Sequence, residues 1–555
     1  MEPVTVKLVH ERFEKAHHFN SQVGLYDTVK NNENYFIGNQ WEGVESNGLP
    51  TPVFHFLKRV TLFQVATITS DNMTMQASPL ISTSKYTEKE LEEITEIINR
   101  QFESIFERNR IVTKLREFMR NSAVDGDGCL YFFFDPNIEN GQLVKGEICA
   151  EIVENTRVYF GNQNQRDPQK QPWIIIARRM LLEDARYLAK EKSGRNPAAV
   201  VADSDIFQNK YDSYTDDKVT VLTYFYRNRD TETIWSCECT EKVMLKDPYD
   251  TGLKLYPLVW LCWDYIPDCY HGQGLITGLI PNQDFLNKIF ALTMISIMTT
   301  AFPKIIFDST RIEKWDGSVG SAIGVNGSIN DVAKVMDPAS VSPQIAQFIN
   351  LCIETTQSFM GASDVAMGDS RPDNTSAIIA LQRASNTPME MTKQALYQSV
   401  EDMGRIFLDI MRSKYGTRYV QTKLMLDEPG AQPLGMQLPA MTFVKQFDFS
   451  ILEEIPLSIK LDVGASSYWS EIASMQTLDN LLMQNKITLL QYLERIPQGY
   501  VSKKQELIDA LKGLASGTPL EGGAVVGAAQ PSDIPVQGGP GNGALQRSLN
   551  KTGVV

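Results

Sequence analysis

Residues 287–308, NKIFALTMISIMTTAFPKIIFD, carry no charge between Lys288 and Lys304, in a chain otherwise well supplied with it. The uncharged run of about 15 residues is shorter than the roughly 20 that a membrane span requires. Pro303 closes it ahead of the strand-like KIIFD. A helix apolar on most sides is buried on most sides, so this one needs partners. Gly272 and Gly274 precede it. The pattern predicts a helix over 275–301, about 40 Å long at about 1.5 Å per residue. Thr293, Ser296 and Thr300 put small hydroxyls on one of its faces, where a neighbouring helix can come close.

Downstream, 303–338 reads as a compact α/β insert with a glycine-rich turn, GSVGSAIGVNGS. A second helix follows in SPQIAQFINLCIETTQSFMG. Ser342 is a good N-cap, and Pro343 sits at the first helical position, where its missing N–H costs nothing. Ile345, Phe348, Ile349, Cys352 and Ile353 share one face, and Gln347, Asn350, Glu354 and Gln357 share the other. Helix, insert and helix form a long hairpin with a head on its tip. The loop GASDVAMGDSRPDNTS then feeds a long helix over 376–415. Pro388 should kink that helix, because it removes a hydrogen bond and crowds the carbonyl of Ala384.

Upstream, residues 1–50 read as irregular, 54–71 as an amphipathic helix, and 87–122 as one longer helix with Leu91, Ile94, Ile97 and Ile98 at helical spacing. DGDG at 125–128 breaks the chain before the strand CLYFFFD. Asp125 and Asp127 belong to a tight turn there, since the later ligands of a calcium loop are missing. Strand rhythm dominates 129–262, interrupted by a short helix around LLEDARYLAKEK and a polar insertion at 193–217. Cys237 and Cys239 should share one face of a strand. Strands return at 420–463, followed by two helices and a Gly/Pro-rich tail read as disordered. The fold class is α+β.

The chain has 555 residues and a formal net charge of -14, with 22% charged and 43% hydrophobic residues, a globular composition. The acidic balance excludes a broad basic surface that grips nucleic acid. It leaves open a protein through which nucleic acid passes without sticking. Seven cysteines without CxxC spacing fit a reducing compartment. Cys262, Cys269 and His271 lack a fourth ligand for zinc. GxxxxGK[ST], GxGxxG and GxSxG are all absent, and the N-terminus does not read as a signal peptide. No catalytic residue, metal ligand or cofactor is assigned, and no enzymatic activity is expected.

Two runs resemble tailed-phage portal proteins. YPLVWLCWDYIPDCYHGQGLITGLIPNQDFLNKIFALTM, with Gln283 and Asn287 on its helix, is similar to the approach to the first stem helix of that family. GASDVAMGDSRPDNTSAIIALQRAS resembles the channel loop and the start of the helix behind it. The resemblance implies a portal fold with a mixed wing, a helical stem hairpin, a small α/β clip and a helical crown. Its parts are an irregular arm (1–50), wing (51–272), stem helix (273–302), clip (303–341), second stem helix (342–361), channel loop (362–375), kinked wing helix (376–416), wing strands (417–466), crown helices (467–515) and disordered tail (516–555).

It also implies a ring, a dodecamer in the virion, at one capsid vertex, assembled in the host cytoplasm with no membrane partner. Double-stranded DNA passes through it without sequence specificity during packaging and ejection. Terminase, major capsid or scaffold protein, and a head-completion adaptor or tail protein dock on it. The expected DNA-facing loop residues are Ser363, Asp364, Met367, Asp369, Arg371, Asp373 and Asn374, with Gln347, Asn350, Glu354 and Gln357 on the stem. Arg311, Lys314, Trp315, Asp316 and Lys334 are the clip residues expected to dock terminase or adaptor. Phe290, Met294, Ile297 and Met298 are the expected subunit contacts. Another ring-forming virion component, a connector or baseplate ring, remains the alternative.

Overall fold

The computed structural model describes residues 3–46, 48–71, 73–80, 86–203, 218–301, 305–312, scattered positions within 314–335, 344–359, 389–423, 442–463, 478–484, 486–496 and 507–508. The chain is α+β, as expected. The chain divides into two units, one of 1–431 with 437–472 and one of 432–436 with 473–555.

The first unit opens with helices where the sequence suggested an irregular arm. α1 (Val6–Gln22) is capped by the Thr5 hydroxyl, and α2 (Leu25–Ile37) follows a left-handed Gly24. Val9, Phe13 and Ala16 lie at helical spacing and are buried. The stripe is narrow and set among His, Asn and Lys, so its contrast along the sequence is weak. Its burial comes from a partner far away in the chain, the face of a β-sheet.

That sheet is a five-stranded antiparallel meander: β4 (Val158–Phe160), β5 (Trp173–Leu181), β6 (Lys218–Arg227), β7 (Ile234–Cys239) and β8 (Met244–Leu253). Tyr159, Ile175, Ala177, Leu222, Tyr224, Cys237 and Cys239 pack under α1. Their alternates Val158, Phe160, Ile174, Ile176 and Phe225 face the main core. Burial of both faces explains the unbroken WIIIA run. Cys237 and Cys239 share a face, as predicted, and burial pushes the Cys237 thiol up to about 12. The polar insertion opens with an ordered turn at Pro197–Ala199 and a buried Val200, after α6 (Leu182–Ser193); its residues 204–217 lie outside the described part.

The main core lies between α3 (Phe56–Ile68), α4 (Glu88–Arg108), α5 (Ile111–Asp125) and the three-stranded sheet β3-β2-β9 (Glu147–Val153, Asp127–Asp135, Leu258–Cys262). The single helix expected over 87–122 is two. Thr87 and Glu90 form a capping box at the start of α4, and the chain breaks at Asn109 and at Arg110, whose φ is 51°. Asn109 caps Ile105 O and also bonds Ile148 O and Ala150 N on β3, so the break serves tertiary packing.

The far end of the chain closes this core. β1 (Met73–Pro79) pairs antiparallel with β14 (Leu457–Val463), from Met73 opposite Val463 to Pro79 opposite Leu457. α9 (Glu390–Lys414) inserts Phe407 among Phe102, Phe106 and Phe132, with ring centroids 5.0–6.5 Å apart. β12 (Thr417–Lys423) and β13 (Thr442–Asp448) form a hairpin beside it. Elements before residue 280 and after residue 388 therefore build one body. α9 begins two residues after Pro388, and the kink assigned to Pro388 lies outside the described residues.

In the second unit a short helix, Leu489–Arg495, starts at a capping box of Thr488 and Gln491, and Leu493, Ile496 and Ile508 form a small apolar cluster. Residues 509–555 are outside the described part.

Candidate assembly surface and channel hairpin

α7 (Ile280–Ala301) starts later than the predicted 275. Residues 275–279 form tight turns, because Leu275, Ile276 and Leu279 must fold back onto Tyr35, Phe36, Leu57 and Val124. The preceding HGQG loop is locked onto the DGDG turn. Asp127, fully buried, accepts from Gly272 N and lies against His271 Nδ1, both at 2.7 Å. His271 Nε2 and the Tyr270 hydroxyl converge on Asn20 Oδ1 at 3.2 and 2.9 Å. A Cβ on Gly126 would lie 2.5 Å from Gly272 O, and one on Gly274 2.5 Å from Val124 O. Glycine is required because two backbones touch. His271 thus anchors a turn. Among the described residues, no group of three or more His, Cys, Asp or Glu is disposed to hold a metal.

The first half of α7 is fixed by amides. Gln283 Nε2 donates to Asn287 Oδ1 (2.9 Å), Asn287 Nδ2 to Gln40 Oε1 (2.7 Å), and Gln40 Nε2 to the carbonyls of Tyr35 and Phe54. All three side chains are buried. Each satisfies its neighbour without bringing a charge out of water, and the chain ties α7 to α2 and to the start of α3. Beside it the Tyr35 hydroxyl donates to Asp284; burial, then that carboxylate, pushes the phenol well above its usual range. Asn287→Ala should cost about 2–3 kcal/mol, because Gln40 Oε1 and Gln283 Nε2 both lose a buried partner. Urea unfolding with an unchanged m-value checks this.

Beyond the amides α7 turns outward. Leu292 is 65% exposed, Met294 42%, Ile297 59% and Met298 55%. α8 (Gln344–Phe359) meets α7 through Phe285 and Phe348, ring centroids 5.6 Å apart, yet Phe348 and Leu351 also remain exposed. Three of the four expected subunit contacts therefore lie on open apolar surface. Phe290 does not: it is half-buried against its own chain's Phe54, with ring centroids 4.2 Å apart. Among the described residues no helix is long and apolar enough to cross a membrane.

On α8, Gln347, Asn350 and Glu354 are exposed as a polar face should be. Gln357 is 8% exposed, next to the buried Thr356, whose hydroxyl lies 3.5 Å from Asn282 Nδ2 on α7. The helices converge at this end, and the fourth member of the polar face is covered. Ser342 and Pro343 lie outside the described residues, as do all seven channel-loop positions and Trp315. At the tip, β10 (Ile305–Phe307) pairs antiparallel with β11 (Ala333–Val335). Asp308 caps the following turn by accepting from Thr310 N and Oγ1, and Arg311 Nε lies 3.5 Å from its other oxygen. The Thr310 bonds, more than Arg311, hold the Asp308 carboxyl below its usual range. Arg311, Lys314, Asp316 and Lys334 are all exposed.

The family model for phage P22-like portal proteins matches residues 10–438. The chain belongs to that family. It is a phage portal protein, a virion component of a structural family. No curated protein sequence matches it. In this portal protein the match takes in most of α1 and runs on through α7, β10, β11, α8 and α9 to β12. The portal's open apolar surface also includes Phe348, read in the sequence as part of the apolar face of α8, and Phe285, Leu292 and Leu351, which sequence reasoning did not single out. A helix apolar on all sides has no direction of its own, so only the position of the α2–α3 body decides which side stays open.

Proposed function

We propose that this portal protein assembles through its stem hairpin into a closed homo-oligomeric ring, a dodecamer in the virion, at one capsid vertex. The observation that carries this reading is the open apolar surface of α7 and α8, on a helix whose base is rigidly fixed by buried amides. Soluble monomers rarely leave such a contiguous patch exposed. Identical copies joined head to tail, each offering one side of the hairpin to the next, generate a ring when the rotation closes.

Double-stranded DNA passes along the axis. The exposed part of the α8 polar face, Gln347, Asn350 and Glu354, has two amides, one acid and no base, a lining that does not retain phosphates. The channel loop contributes Ser363, Asp364, Met367, Asp369, Arg371, Asp373 and Asn374, with a single cation among them. The clip, through Arg311, Lys314, Trp315, Asp316 and Lys334, docks terminase during packaging and an adaptor or tail protein afterwards.

Mass by light scattering, with negative-stain images of the same peak, tests the assembly: rings with a central hole are expected. Deleting 364–374 should leave rings of unchanged mass while packaged DNA falls by an order of magnitude or more. Normal DNA content in heads carrying that deletion would remove the loop from the channel.

A further inference from the structure

The outer face of the five-stranded sheet carries a cavity of about 590 Å³ beside the start of α1. That volume is in the range of small-ligand sites. Trp173 on β5 stands opposite Tyr226 on β6, which stands opposite Trp235 on β7. The three half-buried rings form a row across the strands; Tyr226 and Trp235 have centroids 6.3 Å apart, and Tyr224 stacks on Tyr226 at 5.4 Å. Trp173, Tyr224 and Tyr226 all line the cavity.

The charges around this cavity run against the chain as a whole. Arg12, Lys170, Arg227 and Arg229 line it, with no carboxylate among the lining residues, in a protein of net charge -14. Lys170 is engaged by Asp167 at 3.4 Å. Among the described residues the three arginines have no ion pair. The Arg12 guanidinium is held instead by aromatic faces, 5.7 Å from the Trp173 centroid and 5.6 Å from that of Tyr224, and it donates to the Tyr224 hydroxyl. Arg227 lies 5.6 Å from the Tyr256 centroid and donates to Gln169 O at 3.3 Å. Aromatic and carbonyl groups position these cations without neutralising them. Their forked N–H groups match phosphate geometry.

We propose that this cavity binds a nucleotide, its phosphate on Arg12, Arg227 and Arg229 and its base against Trp173 and Tyr226. Stacked aromatics beside arginines accept any base face while holding the backbone charge. A duplex, with its bases already stacked, offers no free face to this cavity. The ligand is a free nucleotide or an unpaired nucleotide of a single strand, and the two share this chemistry.

Calorimetric titration of the full-length protein at low salt tests it, with deoxyadenosine monophosphate, inorganic phosphate and a four-residue oligodeoxythymidylate as probes. The monophosphate should bind saturably and at least about tenfold more tightly than inorganic phosphate, given the usual strength of base–aromatic stacking. Arg229→Glu, at an exposed position outside the core, should weaken it about tenfold or more by reversing one charge. Trp173→Leu should weaken the monophosphate by a larger factor than inorganic phosphate, because the monophosphate loses the stacking face while phosphate loses only one of the two aromatic rings that position Arg12. Tighter binding of the oligomer than the mononucleotide points to a strand; equal binding points to a free nucleotide. No saturable binding by the wild type, equal affinity for inorganic phosphate, or an Arg229→Glu variant that binds as well would each overturn the proposal. Ring formation is read separately on the same samples, since the cavity uses α1, β5 and β6 and none of the stem residues.

Discussion

Replacing Leu292 and Ile297 together by glutamate is expected to give a folded protein that does not form rings. Both side chains are largely exposed in the single chain, so the substitutions cost little in the isolated fold. At a subunit contact the loss is large. Burying each of these side chains is worth about 1.5–3 kcal/mol, and an unpaired carboxylate in the same place adds a desolvation penalty on top. The effect repeats at every interface of a closed ring, so partial assembly is not an intermediate outcome. Light scattering should show monomer, while circular dichroism and the thermal midpoint stay close to the wild type. Rings of normal mass from the double variant would show that this face of α7 is not a contact. A lost thermal transition would instead place Leu292 or Ile297 in the monomer's own core, against its observed exposure. Phe290→Ala makes the contrast: its ring packs on Phe54, so it should lower the midpoint more than it affects assembly.

Asp127→Ala should be the most damaging single substitution of a polar residue. Its carboxylate accepts the Gly272 N–H, lies against His271 Nδ1 and is 3.5 Å from Asn155 Nδ2, all in a region without water access. Removing one member of such a buried pair costs about 3–5 kcal/mol, because the others are left without partners. Total stability of a domain is only about 5–15 kcal/mol, so much of the margin of this body disappears. The expected result is a marked fall in soluble yield and in the urea midpoint. His271→Gln keeps a hydrogen-bonding side chain and should fall between Asp127→Ala and wild type. An Asp127→Ala protein within about 1 kcal/mol of wild type would mean that the HGQG loop is held by its glycine contacts alone. The stem helix begins only a few residues after this loop, so its loosening should also reduce the yield of rings.

What was legible in the sequence follows the strength of local patterns. α3, β2, the meander strands and the apolar α7 announce themselves through period and composition. The glycines at 272 and 274 mark a change of direction without the fold around them. α1 and α2 were not legible, because Val9, Phe13 and Ala16 make a stripe only three residues wide. The break at Arg110 was hidden as well, since the residues on both sides are good helix formers and the cause of the break is the bond from Asn109 to β3. The site shows the same division. Of the residues expected at subunit contacts, Met294, Ile297 and Met298 are exposed and Phe290 is half-buried, and Gln357 of the expected polar face is covered, because Phe290 and Gln357 lie against elements remote in sequence.

By itself the sequence determined the class of each strong element, the order of helix, insert and helix, and the resemblance that the family match bears out. It could do so because period, caps and turn residues act within a few positions of one another. Only the tertiary structure decided that β1 closes on β14 across almost 400 positions, that three buried amides fix the base of α7, and which side of that helix stays open. Those outcomes depend on which distant surfaces remove each other from water, and nothing local in an all-apolar helix encodes the direction from which its partner will come.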